Sequence, residues 1–367
     1  MSRQPLGMRR IRGVRRVSPF VAGVVAVSTV LGCSGQRARP TTTTVGPSTT
    51  STIAPSTTTA AAAPVAPLTG LPGDAATAAR PAIEVKIDNA PQARPQGGLQ
   101  AADIVYEEVV EGGVVRFMAV FQSKDAPSVG PVRSVRPVDA NLVGPLRGAF
   151  AFSGGAGPFV ALIQKAPVVL VGIDQATAAY TRRNDRKSPH NLFSSTPGLF
   201  KAAAAAQAVG PPPAVFAYRA QSSASTAAGV TAAQSAHIVM GKLTDASWAY
   251  DTGRNVWLRT TNGTAHMLED TSQISAVNIV VVSCQYRDTG VIDASGTVSP
   301  EAIVIGGGDA MVLTSGPSGG QLVKGRWSKG SQAEIMQLTD QAGGSIAMAP
   351  GPTWVMLAPI GAPISVS

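Results

Sequence analysis

The stretch Ala102-Asp103-Ile104-Val105-Tyr106-Glu107-Glu108-Val109-Val110, then Glu111-Gly112-Gly113, then Val114-Val115-Arg116-Phe117-Met118-Ala119-Val120-Phe121 decides the fold class. Two runs rich in β-branched and aromatic residues joined through Gly-Gly read as a β-hairpin. A three-residue loop from Glu111 to Gly113 places Glu108 opposite Arg116, whereas a two-residue turn places it opposite Phe117. In the first register the two charges can form a cross-strand ion pair worth ~0.2–1 kcal/mol. Upstream, Ile83-Glu84-Val85-Lys86-Ile87-Asp88 alternates apolar and charged residues, the period of a half-buried strand.

Downstream, Gly148-Ala149-Phe150-Ala151-Phe152 reads as a short apolar strand followed by the glycine loop Ser153-Gly154-Gly155-Ala156-Gly157-Pro158. A helix is predicted to begin there, with Pro158 in its first turn and Phe159, Leu162 and Ile163 on one face. Strand, glycine loop and helix start can form an anion site, since unpaired amides point into the loop. The loop has neither the lysine nor the spacing of a P-loop. Ala151 stands where G-x-S-x-G requires glycine, so Ser153 is a weak nucleophile candidate, and plain turn chemistry is the competing reading. A second helix is expected at Ser195-Thr196-Pro197, with Thr196 as cap and an alanine-rich body through Ala208.

Past residue 235 short strands and Gly-rich turns dominate. The fold class is therefore α+β: a mixed α/β amino-terminal domain, residues 67–235, and a smaller, mostly β carboxy-terminal domain, residues 236–367. In the latter, Tyr250 to Trp257 reads as a hairpin, and Gly306-Gly307-Gly308-Asp309 and Ser315 to Gly320 as turns. Trp327 with Lys329 can stack a sugar ring or pack on a sheet.

The amino terminus carries an address. Arg3, Arg9, Arg10, Arg12, Arg15 and Arg16 precede an apolar stretch from Pro19 to Leu31, which ends in Val30-Leu31-Gly32-Cys33. This is the layout of a secretory signal peptide, residues 1–32, and the apolar stretch is shorter than the roughly 20 residues of a spanning helix. Gly32-Cys33 resembles a bacterial lipobox, which implies a diacylglycerol on Cys33 and a place on the outer face of the cytoplasmic membrane. Residues 33–66 are Thr, Ser, Pro and Ala-rich and lack a periodic apolar face, so they are expected to form a disordered stalk.

Removing the leader changes the meaning of the charge. The chain is +9 overall, yet from residue 41 onward 22 basic residues face 21 acidic ones. No nucleic-acid footprint remains. With Cys33 lipidated, Cys284 has no partner for a disulfide; in the run Ile279 to Cys284 it reads as a buried, inert thiol.

Three histidines exist, His190, His237 and His266, none in H-x-x-x-H spacing, so a sequence-local metal site is not expected and no cofactor is implied. His190 lies in the cation-rich segment from Thr181 to Phe193, beside Arg183 and Asn191. There it can serve as a base, an anion donor or a loop histidine bonded to backbone. Gly130-Pro131-Val132-Arg133-Ser134-Val135-Arg136-Pro137 places two guanidiniums three residues apart between prolines. They can grip carboxylate or phosphate, or tie loops to Asp88, Glu107 or Glu108.

These segments carry a resemblance. Pro81 to Asn89, Ala93-Arg94-Pro95-Gln96, Ala102 to Glu107, Glu111-Gly112-Gly113, Arg116-Phe117, Gly130 to Pro137 and Pro189-His190-Asn191-Leu192 resemble, in order and spacing, the YerB-like family of bacterial lipoproteins. Trp248 to Asp251, Ala276 to Val280, Gly325 to Lys329 and Pro350 to Trp354 resemble that family's second part. The resemblance implies a two-part envelope lipoprotein and supplies no catalytic residue.

Two function classes follow, with a purely structural envelope role as a third. The first is a binding lipoprotein holding an anionic envelope glycan, polymer or peptide, with Arg116, Arg133, Arg136, Arg183, His190 and Asn191 as ligand candidates. The second is a metal-independent envelope hydrolase or transferase, with Asp88, Glu107, Glu108 and His190 as acid–base candidates. Binding is favoured; the sequence gives no reading of oligomeric state.

Overall fold

In the computed structural model, which describes residues 63–208, 210–293 and 296–367, the hairpin closes through Glu111–Gly113. Strand β2 (Ile104–Val109) pairs antiparallel with β3 (Val115–Phe121), and Glu108 stands opposite Arg116. The two do not form an ion pair: Glu108 turns to Lys86, and the guanidinium of Arg116 reaches the carbonyl of Ser134. The lower-numbered strand β1 (Ile83–Ile87), preceded by the short helix α1 (Ala75–Ala79), lies antiparallel to β3, with Lys86 opposite Met118. It is buried on both faces rather than one, because Glu84 and Lys86 lie beneath a second layer.

These strands sit in an eleven-stranded mixed sheet. Its path runs Gln337–Asp340, Gly319–Lys329, Gly306–Gly316, Asn278–Cys284, Thr353–Pro359, β2, β3, β1, β4 (Ala149–Ala151) and β5 (Val169–Leu170), with Thr231–Ala232 as the eleventh strand, pairing Gly319–Lys329 off this path. Thr353–Pro359 runs parallel both to β2 and to Asn278–Cys284, so strands from both sides of residue 235 share one sheet and one core. The described residues accordingly form one unit.

Alternation divides the core. Ile83, Val85, Ile87, Val105, Phe117, Ala119 and Phe121 face one cluster, shared with Ile238, Trp248 and Trp257 of a second, six-stranded sheet. Ile104, Tyr106, Met118 and Val120 face another, covered by helices α2 (Asp139–Val143) and α3 (Gly157–Ile163). The period of two that assigns side chains to faces is thus read directly from the sequence.

Local differences have local causes. Phe159 and Ile163 of α3 are buried, but Leu162 is 44% exposed, since the helix has only seven residues and a narrow contact. Helix α4 (Thr196–Ala205) is capped by Ser195, whose hydroxyl accepts from Gly198 N. Thr196 instead accepts from Ala126 N at 2.7 Å and ties α4 to a neighbouring loop. Gly306–Asp309 is not a turn but the start of the strand Gly306–Gly316, paired along its length with Gly319–Lys329, and a Cβ at Gly308 would lie 2.7 Å from Trp327 Nε1. Trp327 is 3% exposed and donates to Ser283 O, which makes it core rather than a sugar platform. Cys284 is 2% exposed, and burial pushes its thiol pKa up to about 12. The folded unit starts before residue 67, with Ala66 buried and Pro64 O accepting from Gly73 N. The expected signal peptide, Cys33 and residues 33–62 of the expected stalk lie outside the described residues.

Candidate functional site

The carboxyl ends of the parallel neighbours β1 and β4 open side by side, and the segment 130–137 crosses them. Asp88 N donates to Pro131 O, Arg133 N to Lys86 O, Ser153 N to Arg133 O and Val135 N to Gly154 O. Val132 and Val135 are buried beneath it, so the arginines are carried on a strip pinned from both sides. Gly130 is required here: its φ is +152°, and a Cβ would lie 2.9 Å from Leu192 O.

Three of the candidates meet. Asp88 Oδ2 accepts from His190 Nδ1 at 2.6 Å, and Arg133 Nε lies 3.0 Å from the same oxygen, close enough for an ion pair though not aligned as a hydrogen bond. With Nδ1 donating to Asp88, His190 Nε2 accepts when the ring is neutral and donates when it is protonated. His190 borders a cleft of about 650 Å³ whose walls include Arg94, Arg186, Lys187, Gln92 and Asp185.

Arg116 and Arg136 adjoin this group. Their Nη1 atoms share the carbonyl of Ser134, at 3.3 and 3.4 Å. Arg136 is otherwise saturated, with Nε and Nη2 on Glu111 Oε2 at 3.0 and 2.6 Å and Nη1 on Val135 O at 2.9 Å. Arg116 is 7% exposed, and that bond to Ser134 O is its guanidinium's one hydrogen bond among the described residues. Burial first, then repulsion from Arg136 and Arg133, pulls its pKa from 12.5 to about 10. An arginine so placed is a buried charge without a carboxylate in contact.

The other candidates are occupied elsewhere. Arg183 is held by Glu269 at 2.7 and 3.0 Å and by Asp185 at 3.0 and 2.5 Å. Asn191 links Arg182 and the Arg183 carbonyl, within the hairpin of β6 (Tyr180–Arg182) and β7 (Leu192–Ser194). Glu107 lies on the opposite face of the sheet, gripped by Arg259 at 2.8 and 2.8 Å and by Trp354 Nε1 at 2.7 Å. Glu108 faces Lys86 in the apolar interior.

Sequence reading missed the support behind the site. Arg259 donates to Thr261 Oγ1, which meets His266 Nδ1 at 2.9 Å; His266 Nε2 meets Gln96 Oε1 at 2.9 Å. Gln96 Nε2 in turn donates to Asp88 O and Asn89 Oδ1. A buried chain of hydrogen bonds thus runs from the second sheet to the backbone of Asp88. His266 is 3% exposed; burial, then Arg259 and Arg94, lowers its pKa to about 2. The Arg94-Pro95-Gln96 motif was a signal for this, whereas Arg259 carries none at the level of sequence.

Two family models match the chain: the N-terminal domain of DUF3048, described as a protein of unknown function, over residues 68–209, and its C-terminal domain over residues 236–355. The chain belongs to this family, the YerB-like family that its motifs resemble. It is similar to "Putative lipoprotein YerB" of Bacillus subtilis (strain 168), 38% identical over 139 residues, a match spanning 38% of this chain and 42% of the relative. It is also similar in fold to the crystal structure of YerB protein from Bacillus subtilis, with a TM-score of 0.68 and 24% identity over 82% of this chain and 99% of that one. Among the described residues no helix is long and apolar enough to cross a membrane.

Proposed function

We propose that this protein is a lipoprotein held through Cys33 on the outer face of the cytoplasmic membrane, where it binds an anionic cell-envelope ligand at the Arg116–Arg133–His190 group. The anchor reading rests on the arginine-rich leader, the Gly32-Cys33 ending and the name of the Bacillus subtilis relative. Cys33→Ala is expected to move the protein from the membrane to the soluble fraction.

Arg116 carries the binding reading. The guanidiniums of Arg116 and Arg136 share Ser134 O and Arg133 adds its repulsion to Arg116, while Asp88 and Glu111 are the carboxylates in contact with Arg133 and Arg136. Of the three, Arg116 alone has no carboxylate within ion-pair distance among the described residues, and a phosphate or carboxylate would supply the missing acceptors through charge-assisted bonds. The crevice beyond the carboxyl ends of parallel strands is a favourable place for such a ligand. The full-length protein is therefore expected to retain a phosphate-bearing wall glycan and to release the same glycan once its phosphate is removed, with retention lost in Arg133→Ala. Equal retention of both glycans refutes the reading.

A second reading rests on one contact, Asp88 Oδ2 to His190 Nδ1 at 2.6 Å. A histidine oriented by a carboxylate, with its other nitrogen at a cleft, is the arrangement of a general base. Turnover of a simple aryl ester that disappears in His190→Gln supports this reading; no turnover above buffer removes it.

A further inference from the structure

On the face of the sheet opposite Glu107, an amine and two carboxyl groups meet away from water. Lys86, Glu108 and Asp139 are 0%, 3% and 0% exposed. Lys86 Nζ lies 2.7 Å from Asp139 Oδ1 and also contacts Glu108 Oε1. The register makes this meeting possible: Lys86 on β1 stands beside Met118 on β3 and reaches past it toward Glu108 on β2, while Asp139 descends from the first turn of α2. Tyr106, Met118, Val138 and Ala140 belong to the surrounding apolar cluster. The second oxygen of Asp139 is held separately, accepting from Arg136 N at 2.7 Å.

Each group has a distinct chemical situation. Burial raises the Glu108 pKa above the usual carboxylate range, against the pull of Lys86, so it is a proton carrier rather than a fixed anion. Asp139 has a backbone N–H already aimed at the oxygen that would take negative charge. Fixed proximity replaces a bimolecular encounter.

We infer that Lys86 and Asp139 become joined by an isopeptide bond that the folded chain forms on itself, with Glu108 moving the protons. The Lys86 ammonium passes one proton to Asp139 Oδ1, 2.7 Å away, the freed amine attacks Asp139 Cγ, and the oxyanion on Oδ2 is held by Arg136 N–H. Glu108 protonates Oδ1, the C–Oδ1 bond breaks and water leaves. The nitrogen then returns its proton to Glu108. One C–N bond forms, one C–O bond breaks and one water is lost; no oxidant or cofactor takes part. The product removes a positive and a negative charge from a site that water does not reach. It also ties β1 to α2 around the β2–β3 hairpin, in a chain with only two cysteines.

Peptide mapping of the full-length protein tests this. The expected result is a branched peptide containing Lys86 and Asp139, lighter by one water than its two linear parts. Lys86 is also expected to resist amine-reactive labelling after denaturation. Linear peptides with a labelled Lys86 in the wild-type protein overturn the inference, and so does a branch that maps to Glu108. Asp139→Ala and Glu108→Gln are expected to restore labelling of Lys86; the wild-type map decides even where these variants fail to fold.

Discussion

Arg116→Met should make the ligand-free protein more stable while removing its affinity for anions. The guanidinium is 7% exposed, forms one hydrogen bond and faces Arg136 and Arg133. The fall of its pKa from 12.5 to about 10 means that the native environment disfavours the charge. At about 1.4 kcal/mol per tenfold change, this amounts to an unfavourable ~3 kcal/mol at neutral pH. Losing the bond to Ser134 O offsets about 1 kcal/mol, and Met keeps much of the buried stem. The net expectation is a gain of about 1–2 kcal/mol, in keeping with the stabilisation often seen when buried charge gives way to apolar side chains. Urea unfolding of wild type and variant, with equal m-values, measures it. A loss of about 1 kcal/mol or more would show that Arg116 is a structural tie, and the reasoning from an uncompensated charge would fail.

Other outcomes follow from the buried polar groups. Arg259→Met leaves Glu107 buried beside Trp354 alone and should cost about 3–5 kcal/mol by denaturant unfolding, with much of it recovered when Glu107→Gln is added. His266, neutral in the native state and held near pKa 2, favours folding above the unfolded value of 6.5. That contribution is lost as pH falls from 6.5 toward 2, at up to about 1.4 kcal/mol per pH unit, so His266→Gln should show a shallower acid transition. Glu84 has the opposite sign. Burial raises its pKa well above 4.5, and among the described residues neither oxygen has a hydrogen-bond partner. Its contribution is present below 4.5 and lost as pH rises through the raised native value, so Glu84→Met should raise the melting midpoint more at pH 8 than at pH 4.

The strands were legible because their signal is local. Alternation in 83–88 and 104–121 assigned side chains to faces, whereas two hairpin registers stayed open in the sequence and the three-residue loop Glu111–Gly113 of the structure selects the one that sets Glu108 opposite Arg116. What those side chains touch was not legible. Glu108 ignores its cross-strand neighbour because Lys86 and Asp139 arrive from elements 22 and 31 residues away in sequence, by way of tertiary packing. Arg133, Asp88 and His190 were named from charge and loop context, and they do meet. Arg183 was named on the same grounds, but Glu269, distant in sequence, takes its charge. Thr196 and Ser195 are equally good caps by type, and only the contact to Ala126 decides between them. Burial of β1 on both faces was hidden because its charged residues follow the pattern of an exposed side.

The most direct test of the anion site is the melting midpoint of the full-length protein in rising inorganic phosphate, against chloride at equal ionic strength. A ligand that binds the native state stabilises it as the logarithm of its concentration. The expected result is a rise with phosphate beyond that with chloride, absent in Arg133→Ala and Arg116→Met. The same response to both salts in all three proteins would contradict the account.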